Sequence, residues 1–287
     1  MRIMVIGAGQ MGQGIAQVMA EAGHITLLNN LDHTAPEQGI RNITERLKRA
    51  VAKGRRTEES VAHVLKDVHA SHSLRDAERC DMVFEALAED EALKGSVLKE
   101  LDDICQGSCI FASNTSSLPI TRLASYTHRP EKVVGMHFMN PVPVMKLVEI
   151  IPGLATSKDT MKQVTILARE LGKVAVEVRD VPGFVSNRVL QALINEAIWC
   201  LYDGTATVEG IDNVMRYGMN HPMGPLETAD LIGLDTVLSI QQVIYEGFGQ
   251  EKYHPCPLLQ NYVDAGWLGK KVDRGFYRYE GGKKIVV

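Results

Sequence analysis

The segment GMHFMNPVPVMKLVEI carries two residues that are suited to proton transfer, His137 and Glu149. A histidine takes up or releases a proton near neutral pH. A carboxylate beside it fixes its tautomer and stabilises the imidazolium. The sequence alone does not place the two side chains in contact, and a core histidine is the alternative interpretation. Glu149 lies in an apolar run, however, and a buried carboxylate needs a partner such as His137.

A glycine-rich turn near the N-terminus has the spacing of a phosphate-binding loop. In GAGQMG, Gly7 permits a tight turn, Gly9 lets the backbone approach a pyrophosphate, and Gly12 lets the next helix pack closely. Gln10 and Met11 complete the predicted cofactor loop. The turn follows the apolar run RIMVI and opens a helical pattern, which is the context that favours dinucleotide binding over a plain β-turn-α corner.

The strand ITLLNN is expected to present its end to the ribose of that dinucleotide. Such a strand usually ends in an acidic residue, but here it ends in Asn29 and Asn30. An amide at position 30 still bonds ribose hydroxyls, but it does not repel a 2′-phosphate. Asp32 remains close, and no arginine or lysine occurs between 29 and 35. The sequence therefore predicts NAD as the cofactor, with NADP also accommodated because discrimination is weakened.

Apolar runs and amphipathic segments alternate over the first two-thirds of the chain. The predicted strands are RIMVIG, ITLL, DMVFEAL, SCIFASN, KVVGMHF, KLVEII and KVAVEV, and the predicted helices cover 10–22, 36–66 with a break near Gly54, and 158–171. This alternation predicts an α/β, Rossmann-type domain with a mostly parallel sheet covered on both faces. It also places the proposed site residues at the carboxyl ends of strands, where such folds bind ligands.

A second, all-α domain is predicted after the segment RDVPGFVSNR, in which Pro182-Gly183 marks a junction. Helical patterns cover 184–202, 207–217 and 225–247. The predicted domains are therefore 1–182 and 183–287.

Composition excludes several other classes of protein. The 287 residues are 45% hydrophobic and 23% charged, with a formal net charge of -4, so nucleic acid is not expected as a partner. The five cysteines form no CxxC pair, which predicts reduced thiols in the cytoplasm and no metal site. No apolar run reaches the length of a membrane span or a signal peptide, so no membrane association is expected.

Taken together, the motifs resemble the L-3-hydroxyacyl-CoA dehydrogenase family, and especially its short bacterial 3-hydroxybutyryl-CoA dehydrogenase branch. The matching segments are VIGAGQMGQGIAQ, FASNTSSLPIT, GMHFMNPVPVMKLVEII, PGFVSNRVL, HPMGPLE and AGWLGKKVDRGFY. They follow the order and spacing of the family over nearly the whole chain. Two positions depart from the family pattern: Met139 replaces a common phenylalanine, and Asn30 replaces aspartate.

The resemblance implies roles for four catalytic residues. His137 would exchange the proton of the 3-hydroxyl group, and Glu149 would orient it. Ser116 and Asn187 would hold the substrate oxygen and the histidine region. Alternatively, Ser116 and Ser117 cap the following helix, and Asn187 is a helix-face asparagine bonded to a loop carbonyl.

The resemblance also implies further binding residues. Cofactor contacts are expected from Glu89, Lys94 and Asn114, although on composition their run could be a solvated helix start. Substrate contacts are expected from Asn140 and, for the nucleotide end of coenzyme A, from Lys53 and Arg55 with Arg56 beside them. A basic helix terminus is the alternative for the last three.

The activity that the resemblance implies is interconversion of (S)-3-hydroxyacyl-CoA and 3-oxoacyl-CoA, with 3-hydroxybutyryl-CoA and acetoacetyl-CoA as the expected pair. A homodimer formed through the C-terminal domain is also implied. Two alternatives remain open. One is a related dehydrogenase of a hydroxy acid without coenzyme A, such as L-gulonate. The other is a cofactor-binding protein without catalytic activity.

Overall fold

The computed structural model describes residues 1–32 and 34–285. The chain divides into two compact units, Met1–Asp180 and Val181–Val287. The boundary predicted between 182 and 183 lies two residues beyond this division. Because each unit has its own core, the two are described separately.

An eight-stranded sheet forms the centre of the first unit, as far as its residues are described. The strands are β1 (Arg2–Ile6), β2 (Ile25–Asn29), β3 (Val68–Ser71), β4 (Met82–Glu85), β5 (Ile110–Ser113), β6 (Val133–Phe138), β7 (Leu147–Pro152) and β8 (Val174–Glu177). Their order is β3-β2-β1-β4-β5-β6-β7-β8, and β6 and β7 are an antiparallel pair within an otherwise parallel sheet. The predicted Rossmann-type fold is confirmed, and its strand order changes direction at β1, where such folds bind dinucleotides.

The helices of the first unit follow its strands. They are α1 (Gln10–Glu21), α2 (Ala35–Ala52), α3 (Glu58–Asp67), α4 (Glu91–Ile104), α5 (Ile120–Ala124) and α6 (Lys158–Glu170), with short 3-10 helices at Leu74–Arg79 and Pro130–Lys132. Side-chain caps explain several of these starts. Thr57 accepts a hydrogen bond from the Ser60 amide at the start of α3, and Asp90 accepts one from Leu93 at the start of α4.

The core of the first unit lies between its sheet and the flanking helices. Ile3, Val5, Leu28, Phe84 and Met136 are all buried in it. Strands buried on both faces appear as continuous apolar runs, which explains why most of them are visible in the sequence. Strand β3 was missed because its four residues, VHAS, form neither an apolar run nor a regular alternation.

The second unit is mainly helical. It contains α7 (Ser186–Tyr202), α8 (Val208–Asn213), α9 (Pro225–Ile232), α10 (Leu234–Phe248) and α11 (Pro257–Asp264), a π-helical turn at Val214–Gly218, and 3-10 turns at Glu251–Tyr253 and Lys270–Val272. The single helix predicted over 225–247 is wrong, because Gly233 has φ 102° and separates α9 from α10. A hairpin of β9 (Arg278–Glu280) and β10 (Lys283–Ile285), which the sequence analysis missed, follows the helices.

Two buried aspartates organise the second unit. The Asp212 carboxylate accepts hydrogen bonds at 2.9 and 3.0 Å from the amides that begin α9, those of Leu226 and Glu227. Asp230 accepts two amide hydrogen bonds at 2.9 Å from Phe276 and Tyr277, next to the hairpin. Each carboxylate thus ties residues that are distant in the sequence to the helical core.

Two further findings concern the whole described chain. All five cysteines are free thiols. Within residues 1–32 and 34–285, no helix combines the length and the apolar character that a membrane crossing requires.

Candidate active site

The glycine loop lies between β1 and α1, at the carboxyl edge of the sheet. Gly7 has φ 115°, and a Cβ atom there would lie 2.3 Å from the Ala86 carbonyl oxygen. A Cβ atom on Gly12 would lie 1.7 Å from the Gly7 carbonyl oxygen. By contrast, apart from Gly9 itself and its two chain neighbours, no described atom lies within 4 Å of a Cβ atom placed on Gly9. Backbone contacts therefore exclude side chains at two positions, whereas the third opens onto free space.

That open space fits the pyrophosphate of a dinucleotide. Gly9 precedes the first residue of α1, and no side chain of the described residues caps this helix start. The first-turn amides of a helix carry a partial positive charge and donate to phosphate oxygens. The loop and the helix start together form a cradle for a negatively charged group.

Asn30 follows β2 and contacts the glycine loop. The Ala8 amide donates to Asn30 Oδ1 at 3.0 Å. Since a backbone N–H needs an oxygen acceptor, this contact fixes which end of the amide faces the loop. Asn30 Nδ2 lies on the other side, 3.5 Å from the Asp32 carbonyl oxygen. Asn29 is buried instead, and its Nδ2 donates to Ser71 on β3.

His137 and Glu149 lie opposite each other on the antiparallel strands β6 and β7. His137 Nδ1 is 2.9 Å from Glu149 Oε2, and the two residues are 8% and 1% exposed. A carboxylate only accepts hydrogen bonds, so in the neutral imidazole Nδ1 donates and Nε2 carries the lone pair. The pair is thus arranged for proton exchange at Nε2. Its catalytic role remains a prediction.

Three consecutive residues after β5, Thr115, Ser116 and Ser117, form what we call the serine loop. Its hydrogen bonds converge on one oxygen, Glu89 Oε1. The amides of Ser116 and Ser117 donate to this oxygen at 2.9 Å, and the Thr115 hydroxyl donates at 2.6 Å. The Glu89 side chain therefore anchors the backbone of the serine loop at Ser116 and Ser117.

Several interactions act on the charge of Glu89. Burial favours the neutral acid, but the Lys94 ammonium and the hydrogen bonds from Thr115 and Ser117 outweigh it and lower the pKa of Glu89. The side chain is therefore a carboxylate at neutral pH, and it binds the serine loop through charge-assisted hydrogen bonds.

Glu85, at the end of β4, is a site residue that the sequence analysis missed. Its carboxylate lies 2.7 Å from Lys94 Nζ and accepts a 2.6 Å hydrogen bond from the Ser113 hydroxyl. Both Glu85 and Lys94 are only 1% exposed. The signal was present in DMVFEAL, because a carboxylate inside an apolar strand requires a partner.

Other hydrogen bonds join the loops that follow different strands. The Phe138 amide, next to the histidine, donates to Asn114 Oδ1 at 2.9 Å. Gln10 Nε2 donates to Asn140 Oδ1 at 3.1 Å, which connects the glycine loop with the segment after β6.

Two other side chains are held inside the first unit. Lys173, which the sequence analysis did not name, donates from Nζ to the Met145 carbonyl oxygen at 2.8 Å. Met11 packs against the core of the first unit.

The basic residues predicted to contact coenzyme A line one cavity of about 370 Å³ in the first unit. Lys53, Arg55 and Arg56 contribute to its wall, and α2 adds Arg46 and Arg49. The sequence analysis did not include these two arginines, because helical periodicity does not show which charged residues share a cavity. Five cationic side chains around one cavity favour a ligand with several negative charges.

Asn187 belongs to the second unit, in the first turn of α7. Its predicted role near the histidine remains a prediction. No group of three or more His, Cys, Asp or Glu residues in the described chain has an arrangement that could hold a metal ion.

The fold and the site together define a class of protein. A Rossmann-type unit with a glycine loop, followed by a helical unit, is typical of nicotinamide-dependent dehydrogenases. Comparison with known families narrows this class. Residues 2–181 match the family model for the 3-hydroxyacyl-CoA dehydrogenase NAD binding domain, and residues 183–279 match the model for its C-terminal domain. The chain belongs to the 3-hydroxyacyl-CoA dehydrogenase family, a family of oxidoreductases, as the resemblance predicted.

Individual relatives agree with this assignment. The chain is 57% identical to the probable 3-hydroxybutyryl-CoA dehydrogenase of Bacillus subtilis (strain 168), with 97% of each chain covered. It is 48% identical to the 3-hydroxybutyryl-CoA dehydrogenase of Bradyrhizobium diazoefficiens, over 99% of this chain and 97% of the relative. Among solved structures, (S)-3-hydroxybutyryl-CoA dehydrogenase PaaH1 from Ralstonia eutropha is similar, with a TM-score of 0.95, 44% identity, and 97% and 99% coverage.

Proposed function

We propose that this protein interconverts (S)-3-hydroxybutyryl-CoA and acetoacetyl-CoA with a nicotinamide cofactor. The observation that carries the proposal is the buried 2.9 Å contact between His137 and Glu149 at the carboxyl edge of a dinucleotide-binding sheet. The names of the relatives support the choice of a short acyl-CoA substrate.

In the proposed reaction, His137 exchanges the proton of the substrate oxygen. During oxidation, Nε2 takes the proton from the 3-hydroxyl group as the C3–H bond breaks. A bound nicotinamide cofactor would supply the hydride acceptor for C3 in this direction and the hydride donor in the reverse direction. During reduction, His137 returns the proton to the oxygen as the C–H bond forms. Glu149 holds the imidazole in the required tautomer and offsets its positive charge.

The serine loop and Asn187 are proposed to position the substrate oxygen. Ser116 is the candidate in the first unit, because it occupies the position to which the family pattern gives this role; its hydroxyl donates to Glu89 Oε1 at 3.3 Å. The glycine loop would bind the pyrophosphate of the cofactor. Asn114 would contact the cofactor near its nicotinamide ring.

We further propose that the cofactor is NAD, with NADP accommodated less well. Asn30 lacks the negative charge that repels a 2′-phosphate, but the exposed Asp32 lies two residues away and keeps part of that repulsion. The cavity with Lys53 and Arg55 would bind the phosphates of coenzyme A.

A homodimer formed by the second unit is also proposed. Val214, Tyr217, Met219 and Leu231 of this unit are each more than half exposed. Large apolar side chains at the surface are typical of subunit interfaces. Sedimentation analysis tests this, and a monomer at micromolar concentration would contradict it. The five free cysteines fit the predicted cytoplasmic location.

The deciding experiment is an assay with acetoacetyl-CoA and reduced cofactor. We expect NADH oxidation by the wild type and a loss of most turnover in His137→Ala, with cofactor affinity retained. His63→Ala, on the exposed face of α3, is the matched control and should behave as the wild type. Tight cofactor binding without turnover would instead support a non-catalytic protein. Faster oxidation of L-gulonate than of 3-hydroxybutyryl-CoA would support the alternative dehydrogenase.

A further inference from the structure

Glu85 makes more contacts than a residue that only fills the core would need. Its Oε1 accepts from the Leu87 amide at 2.6 Å and from Lys94 Nζ at 2.7 Å, and its Oε2 accepts from the Ser113 hydroxyl at 2.6 Å. These donors come from the β4–α4 loop, from α4 and from β5. The main chain of Glu85 also accepts the Asn114 amide at 2.8 Å. A single buried residue thus connects the end of β5, which leads into the serine loop, with the β4–α4 loop and with α4.

Lys94 connects this carboxylate to a second one. Its ammonium lies 2.7 Å from Glu85 Oε1, 3.3 Å from the Leu87 carbonyl oxygen and 3.4 Å from Glu89 Oε2. Its side chain is 1% exposed, whereas that of Glu89 is 34% exposed. The positive charge is therefore enclosed between two carboxylates, of which only the outer one reaches the surface of the site.

The outer carboxylate divides its two oxygens between the lysine and the loop. Glu89 Oε2 faces Lys94, and Glu89 Oε1 faces the serine loop. Without the lysine, Oε2 would lose this partner, and the carboxylate would be held through Oε1 alone. The amides of Ser116 and Ser117 would then depend on an acceptor whose orientation no ion pair fixes.

Stability alone does not explain a buried ion pair. Replacing both charges of such a pair by neutral groups of similar volume is often neutral for folding, because desolvation of the charges offsets their attraction. The pair instead has a purpose if the Glu89 side chain must keep one orientation. We propose that Glu85 and Lys94 are positioning residues, which hold the serine loop of the active site through Glu89.

This inference rests on the proposed function only where it calls the serine loop part of the active site. Its structural content, that the buried pair orders the loop, is independent of the reaction. The two are therefore tested by separate measurements.

The first measurement is hydrogen exchange of the serine-loop amides. The double variant Glu85→Gln/Lys94→Met removes both buried charges together, so neither is left unpaired in the core. We therefore expect the fold to be retained. We expect the amides of Ser116 and Ser117 to exchange at least about tenfold faster than in the wild type, while amides within β4 and β5 remain protected. Unchanged exchange at both serines would overturn the proposal.

The second measurement is steady-state kinetics combined in a mutant cycle. We expect the double variant to lose at least about tenfold in kcat/KM for acetoacetyl-CoA. In a Glu89→Ala background the same double substitution should cost less than about twofold, because the pair acts through Glu89. Equal losses in both backgrounds would show a purely structural effect and overturn the proposal. Glu89→Ala alters a side chain that is 34% exposed, so it is expected to fold even if the double variant does not, and amide exchange at Ser116 and Ser117 in this single variant then tests the contact with the loop.

The outcomes also separate this inference from the proposed function. A wild type without dehydrogenase activity would refute the proposed function, and the exchange measurement would still decide whether the pair orders the loop. An active wild type with unchanged loop exchange in the double variant would refute the inference alone.

Discussion

Asn30→Asp is expected to increase the preference for NADH over NADPH. The Ala8 amide already occupies Asn30 Oδ1, so the substitution changes the atom on the other side of the side chain. There, an amide nitrogen that donates hydrogen bonds is replaced by a carboxylate oxygen that accepts them. In a Rossmann-type fold this side faces the adenosine ribose.

The magnitude follows from the charge that the substitution adds. Two unit charges 4 Å apart interact by about 1 kcal/mol in water and about 4 kcal/mol near a protein surface. Position 30 is half-buried and therefore still faces solvent on one side. We take the repulsion between the new carboxylate and the 2′-phosphate as about 1.5 kcal/mol, near the value in water. About 1.4 kcal/mol corresponds to tenfold, so the ratio of kcat/KM for NADH to that for NADPH should rise about tenfold.

The assay is the initial rate with acetoacetyl-CoA at varied NADH and NADPH. Asn261→Asp adds the same charge at an exposed position of the second unit and is the matched control, with an unchanged ratio expected. Asp32→Asn should shift the ratio toward NADPH, since it removes the remaining nearby anion. A ratio that does not change in Asn30→Asp would show that position 30 does not face the ribose, and would refute the reasoning.

Three further predictions concern the site and the second unit. Glu149→Gln should lower kcat at least about 100-fold, because the imidazolium loses its buried counter-charge; a loss of less than threefold would contradict this. Gly12→Ala should weaken cofactor binding at least about tenfold or lower the melting temperature, since its Cβ atom would lie 1.7 Å from the Gly7 carbonyl oxygen; unchanged calorimetry and melting would contradict it. Burial raises the pKa of Asp230 to about 6, although hydrogen bonds from the hairpin act in the opposite direction. The native state therefore holds this proton more tightly than the unfolded state, so the contribution of Asp230 to stability is present at pH 4 and declines as the pH rises to 6. Urea unfolding of the wild type minus that of Asp230→Asn measures this decline, and a flat difference would contradict it.

Much of the first unit was predictable because the information is local. A strand that is buried on both faces must be apolar throughout, so runs such as RIMVI identify it directly. Glycine is required where the backbone turns tightly or meets another chain segment, and Gly7 and Gly12 show this in their spacing. The element predictions failed where the local signal was weak. Strand β3 is short and polar, and the break at Gly233 lies between two segments of the same apolar periodicity.

The sequence by itself determined that His137 and Glu149 suit proton transfer. It also determined that Asn30 occupies the position after β2 where an acidic residue is usual. Only the tertiary structure decided which groups meet. The antiparallel register of β6 and β7 places the histidine opposite the glutamate, and a shift by one residue would turn one of them to the other face. The pairing of β4 with β5 likewise places Glu85 opposite Ser113, at the strand end that leads into the serine loop. Contacts between distant residues depend on register and topology, which arise from packing of the whole unit and are not contained in any local pattern.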